Sequence, residues 1–162
     1  MLRSHSGTCR FDHLRDAGVL PLERIHRGDF EWSSMREEFF EGFHRSLPAF
    51  ASAGNNLIVE HIVETSAWMK RLVALLAGMD VFFVGIHCPL EELKRRELER
   101  GDRPEGDAAR DFATIHRHAV YDLEINSLVA PDDNALRLAA AWRQRSRPTA
   151  LRNWPHSTCC KT

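Results

Sequence analysis

The chain has 162 residues with 22 Lys plus Arg, 23 Asp plus Glu and a formal net charge of −1, which fits a single domain (1–162) with a real core. That balance excludes a whole-chain field drawing it to nucleic acid or an anionic membrane, so any anion site is local. The four cysteines, Cys9, Cys88, Cys159 and Cys160, have no paired CxxC spacing and exclude a disulfide scaffold; no apolar run nears the roughly 20 residues that span a bilayer, and "MLRSHSGTCR" lacks the apolar core of a signal peptide, so a cytoplasmic protein is expected.

In chain order, "CRFDHLRDAG" (9–18) predicts a short strand through Phe11 that delivers Asp12 to a strand end. "MREEFFEGFHRSLPAFASAG" (35–54) carries Phe39, Phe40, Phe43, Leu47 and Phe50 on a helical stripe, with Pro48 expected to kink it and Gly54 to end it. That stripe reads either as core or as the wall of an aromatic substrate pocket. "NLIVEHIV" (56–63) predicts a strand, "TSAWMKRLVALLAG" (65–78) a helix through Trp68, Leu72, Leu75 and Leu76 with Gly78 as its cap, and "DVFFVGIHC" (80–88) a second strand stopped by Pro89. Strand, helix, strand with short connections is a βαβ unit, and near-continuous apolar strands imply a parallel sheet covered on both faces. Helices follow over 90–100 and 107–119, then a strand over "YDLEINS" (121–127) and a helix over 133–145 whose Arg143 and Arg145 suit its C-terminus. The ordered core is expected over about 9–150, with a polar tail (151–162) whose Cys159, Cys160 and His156 read as incidental at a chain end.

In parallel sheets, ligands gather at the carboxyl ends of the strands. That rule selects Glu60, His61 and Glu64 after the first clear strand, and His87 and Cys88 after the second. Glu60 is the candidate to hold Mg²⁺, through water, or it hydrogen-bonds a neighbouring backbone. Asp12 accepts a proton from a substrate hydroxyl, caps the turn that starts at His13, or does both. His116 and His118 point about 200° apart if the segment is helical, which argues against a shared metal. "RRELERGDRPEG" (95–106) sets Arg96, Arg100 and Arg103 at steps of four and three on one helical face, either a solvated face paired with Glu97 and Glu99 or a clamp for polyphosphate. The combination points to phosphoryl transfer. The 162 residues nevertheless contain no GxxxxGKS/T and no Gly-Lys pair, so a phosphate-cradling Walker A loop is not encoded in them.

The stretches "FDHLRDAGVLPLERI", "GNNLIVEHIVET", "DVFFVGIHCPLEEL", "RRELERGDRPEG" and "HRHAVYDLEINS", in that order and spacing, resemble the chloramphenicol phosphotransferase-like proteins, over roughly residues 9–154. The resemblance implies an α/β P-loop-kinase-like fold, a three-layer parallel sheet with helices on both faces. It implies an ATP- and Mg²⁺-dependent kinase acting on a hydroxyl of a small, antibiotic-like molecule, as in antibiotic resistance. By the same resemblance Asp12 matches the Asp facing the substrate hydroxyl, Arg100 and Arg103 match the lid arginines on the nucleotide with Arg96 as a third, and Glu60 and His61 sit where acidic residues near magnesium are common. Members carry a strand, P-loop and helix before the Asp segment. An N-terminal truncation of about 25 to 35 residues is therefore expected here, from a misplaced start codon or a gene fragment. The activity expected is impaired phosphotransfer, with a catalytically inactive small-molecule or protein binding module as the alternative. The sequence names neither the acceptor nor the oligomeric state.

Overall fold

The computed structural model describes residues 6–10 (backbone only), 23–24, 27–29, 31–100 and 106–154, apart from the side chain of Trp32. Asp12, Arg103, His156, Cys159 and Cys160 lie outside the described residues. The chain divides into two compact units, 1–62 and 63–162. Among the described residues each unit contains one parallel pair of strands.

In the first unit β1 (Ser6–Arg10) pairs with β2 (Asn56–Glu60) in parallel, from Ser6↔Asn56 to Arg10↔Glu60. A strand is thus present at Ser6–Arg10, and Phe11, through which it was expected, lies outside the described residues. β2 ends at Glu60 rather than at residue 63, which leaves His61 free to turn its ring into the core instead of alternating across a sheet. Helix α1 (Arg36–Ser52) has Glu37 and Glu38 in its first turn, where carboxylates favour the helix dipole. It runs through Pro48, despite the loss of one helical N–H, and ends before Gly54, whose φ of 90° suits a residue without Cβ. Its buried stripe is Phe40, Phe43, His44 and Leu47, with Phe40 and Phe43 packed edge-on at 6.3 Å. Phe50, expected in that stripe, is exposed, and His44, which an apolar count passes over, is 0% exposed.

In the second unit the Thr65 side chain accepts a hydrogen bond from the Trp68 N–H at 3.1 Å and caps α2 (Ser66–Leu75). Trp68 (1% exposed), Met69 (0%), Leu72 and Val73 form the buried face of this helix. β3 (Val84–His87) and β4 (Leu123–Asn126) pair in parallel, from Val84↔Leu123 to His87↔Asn126. The register is held from both sides. The Asp122 carboxylate accepts from Phe83 N–H at 2.7 Å with one oxygen and from Ala150 N–H at 2.7 Å with the other. The Tyr121 ring lies on the bare Cα of Gly85, so close that a Cβ there would sit 2.6 Å from Tyr121 Cδ2.

Three further helices belong to this unit: α3 (Leu90–Arg100), α4 (Asp107–Thr114) and α5 (Pro131–Gln144). α5 begins two residues earlier than the periodicity suggests because Pro131 is suited to a first helical turn. At its other end Arg145 donates to the Trp142 carbonyl at 2.6 Å, stacks 3.5 Å over the Trp142 ring and pairs with Asp80 at 2.5 Å. α4 stops at Thr114, so His116 and His118 follow the helix and the 200° argument does not apply to them. The ordered core also reaches past 150. Leu151 and Trp154 are buried, and Trp154 Nε1 donates to the His118 carbonyl at 2.7 Å. Apolar strand residues remain open to solvent, Ile58 at 63% and Ile86 at 59%.

Because Tyr121 occupies the space a Cβ would need, Gly85→Ala is expected to lower unfolding free energy by about 1–3 kcal/mol. Urea titration of the single variant and of Gly85→Ala with Tyr121→Ala checks this. The second substitution recovers part of the loss if the clash is its cause.

Candidate functional site

At the end of β2 the chain turns two side chains in different directions. Glu60, the last strand residue, is exposed. His61 follows it, and its ring packs on Phe40 at 5.2 Å and Phe43 at 5.3 Å between centroids. Its Nε2 lies 2.8 Å from His44 Nε2. Two imidazole nitrogens at that distance share one proton, so one ring donates and the other accepts, and both cannot be imidazolium. Burial first, then His44 and Arg36, lower the His61 pKa from 6.5 to about 3. His61, expected beside the substrate, is thus built into the wall of its own unit as a neutral ring.

Glu64, Arg96 and Arg100 belong to the second unit. Glu64 is half-buried and is one of the charges that favour the Arg110 cation. On α3 the arginines divide. Arg95 binds Glu92 at 2.7 Å and Glu99. Arg96 donates through Nε to Glu92 at 2.7 Å and reaches the Ser127 carbonyl at 3.4 Å. Hydrogen bonds from Arg95 and then Arg96 hold the Glu92 carboxyl down at about 2. Arg100, at the helix C-terminus, is exposed and has no ion-pair partner among the described residues. The solvated, internally paired face therefore describes Arg95 and Arg96, while Arg100 makes no such pair among the described residues.

Glu97 also reaches beyond the arginine run. Its carboxylate crosses to the next helix and accepts from Gly106 N–H at 3.1 Å and Ala108 N–H at 2.7 Å. Gly106 occupies the N-cap position with φ 101° and has no side chain to cap α4. Glu97 performs that role from α3. A helix opening on Gly with no capping side chain was the one sequence signal for this contact.

His87 and Cys88, selected by the strand-end rule, lie at the end of β3. There His87 meets Glu124 at 2.7 Å and stacks on His116 at 4.1 Å. His116 is in turn bound to the Tyr121 hydroxyl at 2.7 Å. Burial first, then Glu124, pushes the Tyr121 phenol up to about 12. Sequence reasoning could not foresee this group, since only the β3–β4 register brings to His87 residues 29 to 37 positions away.

Among the described residues no three His, Cys, Asp or Glu side chains gather as metal ligands. Mg²⁺ typically takes one or two carboxylates and completes its shell with water and phosphate, so a lone strand-end carboxylate such as Glu60 fits a water-mediated hold and not a protein cage. No helix among the described residues is long and apolar enough to cross a membrane.

The family model of the chloramphenicol phosphotransferase-like proteins matches residues 8–143. The chain belongs to that family. Its α/β architecture with parallel strand pairs is of the P-loop-kinase-like class of the family. Two curated relatives, candidate O-phosphotransferases of Mycobacterium tuberculosis strains CDC 1551 / Oshkosh and ATCC 25618 / H37Rv, are each 34% identical to it over 121 residues, covering 75% of this chain and 52% of the relative. The chain thus spans about half the length of the curated relatives it matches, and its family is one of phosphotransferases.

Two outcomes are expected. Glu97→Ala leaves the first turn of α4 without its acceptor and lowers stability by about 1 kcal/mol, read by chemical denaturation, with faster amide exchange at Gly106 and Ala108. For His61, the folded pKa lies below the unfolded one, so the unfolded chain binds the extra proton between pH 6.5 and about 3. Stability contributed by neutral His61 is therefore complete above pH 6.5 and falls as pH drops through that window, and His61→Phe flattens the acid limb of the stability–pH curve.

Proposed function

We propose that the protein is an ATP-dependent kinase that transfers a phosphoryl group to a hydroxyl of a small, antibiotic-like molecule of the chloramphenicol class. The observation that carries this reading is Arg100, without an ion-pair partner among the described residues at the end of a helix whose other arginines are paired, in a chain of a phosphotransferase family. Bound ATP with Mg²⁺ would supply the γ-phosphoryl group and neutralise part of its charge. Arg100 and Arg103 donate to the equatorial oxygens as charge spreads in transfer, and Arg96 supports them from the same face. Asp12 orients the acceptor hydroxyl and takes its proton. Glu60 holds the magnesium shell through water, and Glu64 lines the acceptor side. His61 serves the acceptor site indirectly, by fixing the turn after β2 through His44.

No GxxxxGKS/T occurs in the 162 residues. A phosphate site without that cradle loses the backbone N–H groups on which affinity depends, so these residues alone are proposed to bind ATP weakly and to transfer phosphate at a negligible rate. The same observation favours a second reading, a binding module that keeps the acceptor pocket and does not turn over ATP. Oligomeric state is not part of either reading. Location in the cytoplasm accords with both.

Reading the DNA upstream of Met1 in frame separates the two: a strand followed by GxxxxGKS/T supports the kinase, a nearby stop codon the binding module. In protein carrying such a loop, transfer from γ-labelled ATP to chloramphenicol is expected, and Arg100→Ala lowers kcat by about 100-fold without moving the unfolding midpoint. Rapid transfer by the 162 residues alone would overturn the proposed dependence on the cradle. Unchanged kcat in Arg100→Ala would remove the assigned role.

A further inference from the structure

The end of β3 holds a nucleophile that none of the roles above uses. His87 Nε2 is sealed from solvent and lies 2.7 Å from Glu124 Oε2. The carboxylate sits off the N–H axis, so charge and proximity hold the pair rather than a linear hydrogen bond. Either way the proton belongs on Nε2, beside the anion. That leaves the lone pair on Nδ1, which has no hydrogen-bond partner among the described residues.

The ring cannot easily swing away. It stacks on His116 at 4.1 Å with 33° between planes, and the Tyr121 ring meets it edge-on at 6.2 Å. His116 is itself fixed, with Nδ1 on the Tyr121 hydroxyl at 2.7 Å. Behind His87 the backbone is also anchored, because its carbonyl accepts from Ser127 N–H at 2.8 Å and the Ser127 carbonyl takes Arg96 Nη2. An imidazole with one nitrogen against a carboxylate, the other open, and its plane fixed by packing has the parts of an activated nitrogen nucleophile. A cation, Arg96, is tied to the same strand end.

We propose that His87 accepts a phosphoryl group on Nδ1, with Glu124 as its positioning residue. The donor is of the phosphoanhydride or phosphoramidate class. The Nδ1 lone pair forms the N–P bond while the bond from phosphorus to the leaving oxygen or nitrogen breaks and its electron pair departs with that group. The Nε2 proton passes to Glu124 and from there to water, so the phosphorylated ring stays uncharged.

The choice of phosphorus chemistry rests on the family's phosphoryl transfer, but the test needs no nucleotide site. The 162-residue protein is incubated with phosphoramidate, which phosphorylates histidine directly, and acid-labile phosphate is mapped by tandem mass spectrometry. His87 is expected to be labelled about tenfold faster than the exposed His118, with phosphorus on Nδ1 by 31P–15N correlation. Glu124→Gln, whose fold is checked by circular dichroism, is expected to bring His87 down to the rate of His118. Labelling of His87 no faster than His118, or on Nε2, overturns the proposal, and an unchanged rate in Glu124→Gln overturns the role of Glu124. Failure here leaves the kinase reading standing, and failure of ATP transfer leaves this one standing.

Discussion

The parallel pairing of β3 with β4 is the constraint on which the second unit depends. Four residues a side is a short ladder, and alone it would be weak. Two side chains next to β4 make it specific. Tyr121 fills the space over Gly85, so a shift by one residue would drive the ring against a side chain. Asp122 ties the start of β3 to Ala150 through two backbone N–H groups, which brings the 149–154 segment and its buried Leu151 and Trp154 into the core. From that register follow the position of His87 opposite Asn126, its contact with Glu124, and the hydrogen bond from Ser127 that ends the ladder.

The arginine helix shows how a charged surface is divided between structure and chemistry. Glu92 binds two guanidinium groups and Glu99 one of them, while Glu97 is diverted to cap α4. Exposed pairs of this kind contribute little stability. Their consequence is geometric, because they use up Arg95 and Arg96 in part while Arg100 has no ion-pair partner among the described residues.

Much of the fold was legible from residue patterns. The strand, helix, strand order of β2, α2 and β3 stands out because β-branched runs bracket a helix with an apolar stripe, and Thr65 marks that helix's start; the pairings, β1 with β2 and β3 with β4, do not. Boundaries were less legible, since β2 ends where His61 turns inward to His44 and β3 is trimmed to the four residues that have a partner. His44 itself was missed because burial of a histidine depends on a second histidine 17 residues on, which no periodicity encodes. The proposed site was legible in part: Glu60, Arg96 and Arg100 occupy the strand-end and helix positions their spacing implies, whereas Asp12 and Arg103 lie outside the described residues. The His87–Glu124 contact could be read from neither residue alone, because cross-strand register creates it.

Arg100 is proposed to be kept for phosphate. Arginine Nε–Hε resonances of the intact chain, followed by NMR during titration with tripolyphosphate, test it most directly. The Arg100 signal is expected to move first and saturate while Arg95 stays near its starting position. Uniform shifts of both, or movement of Arg95 ahead of Arg100, would contradict it.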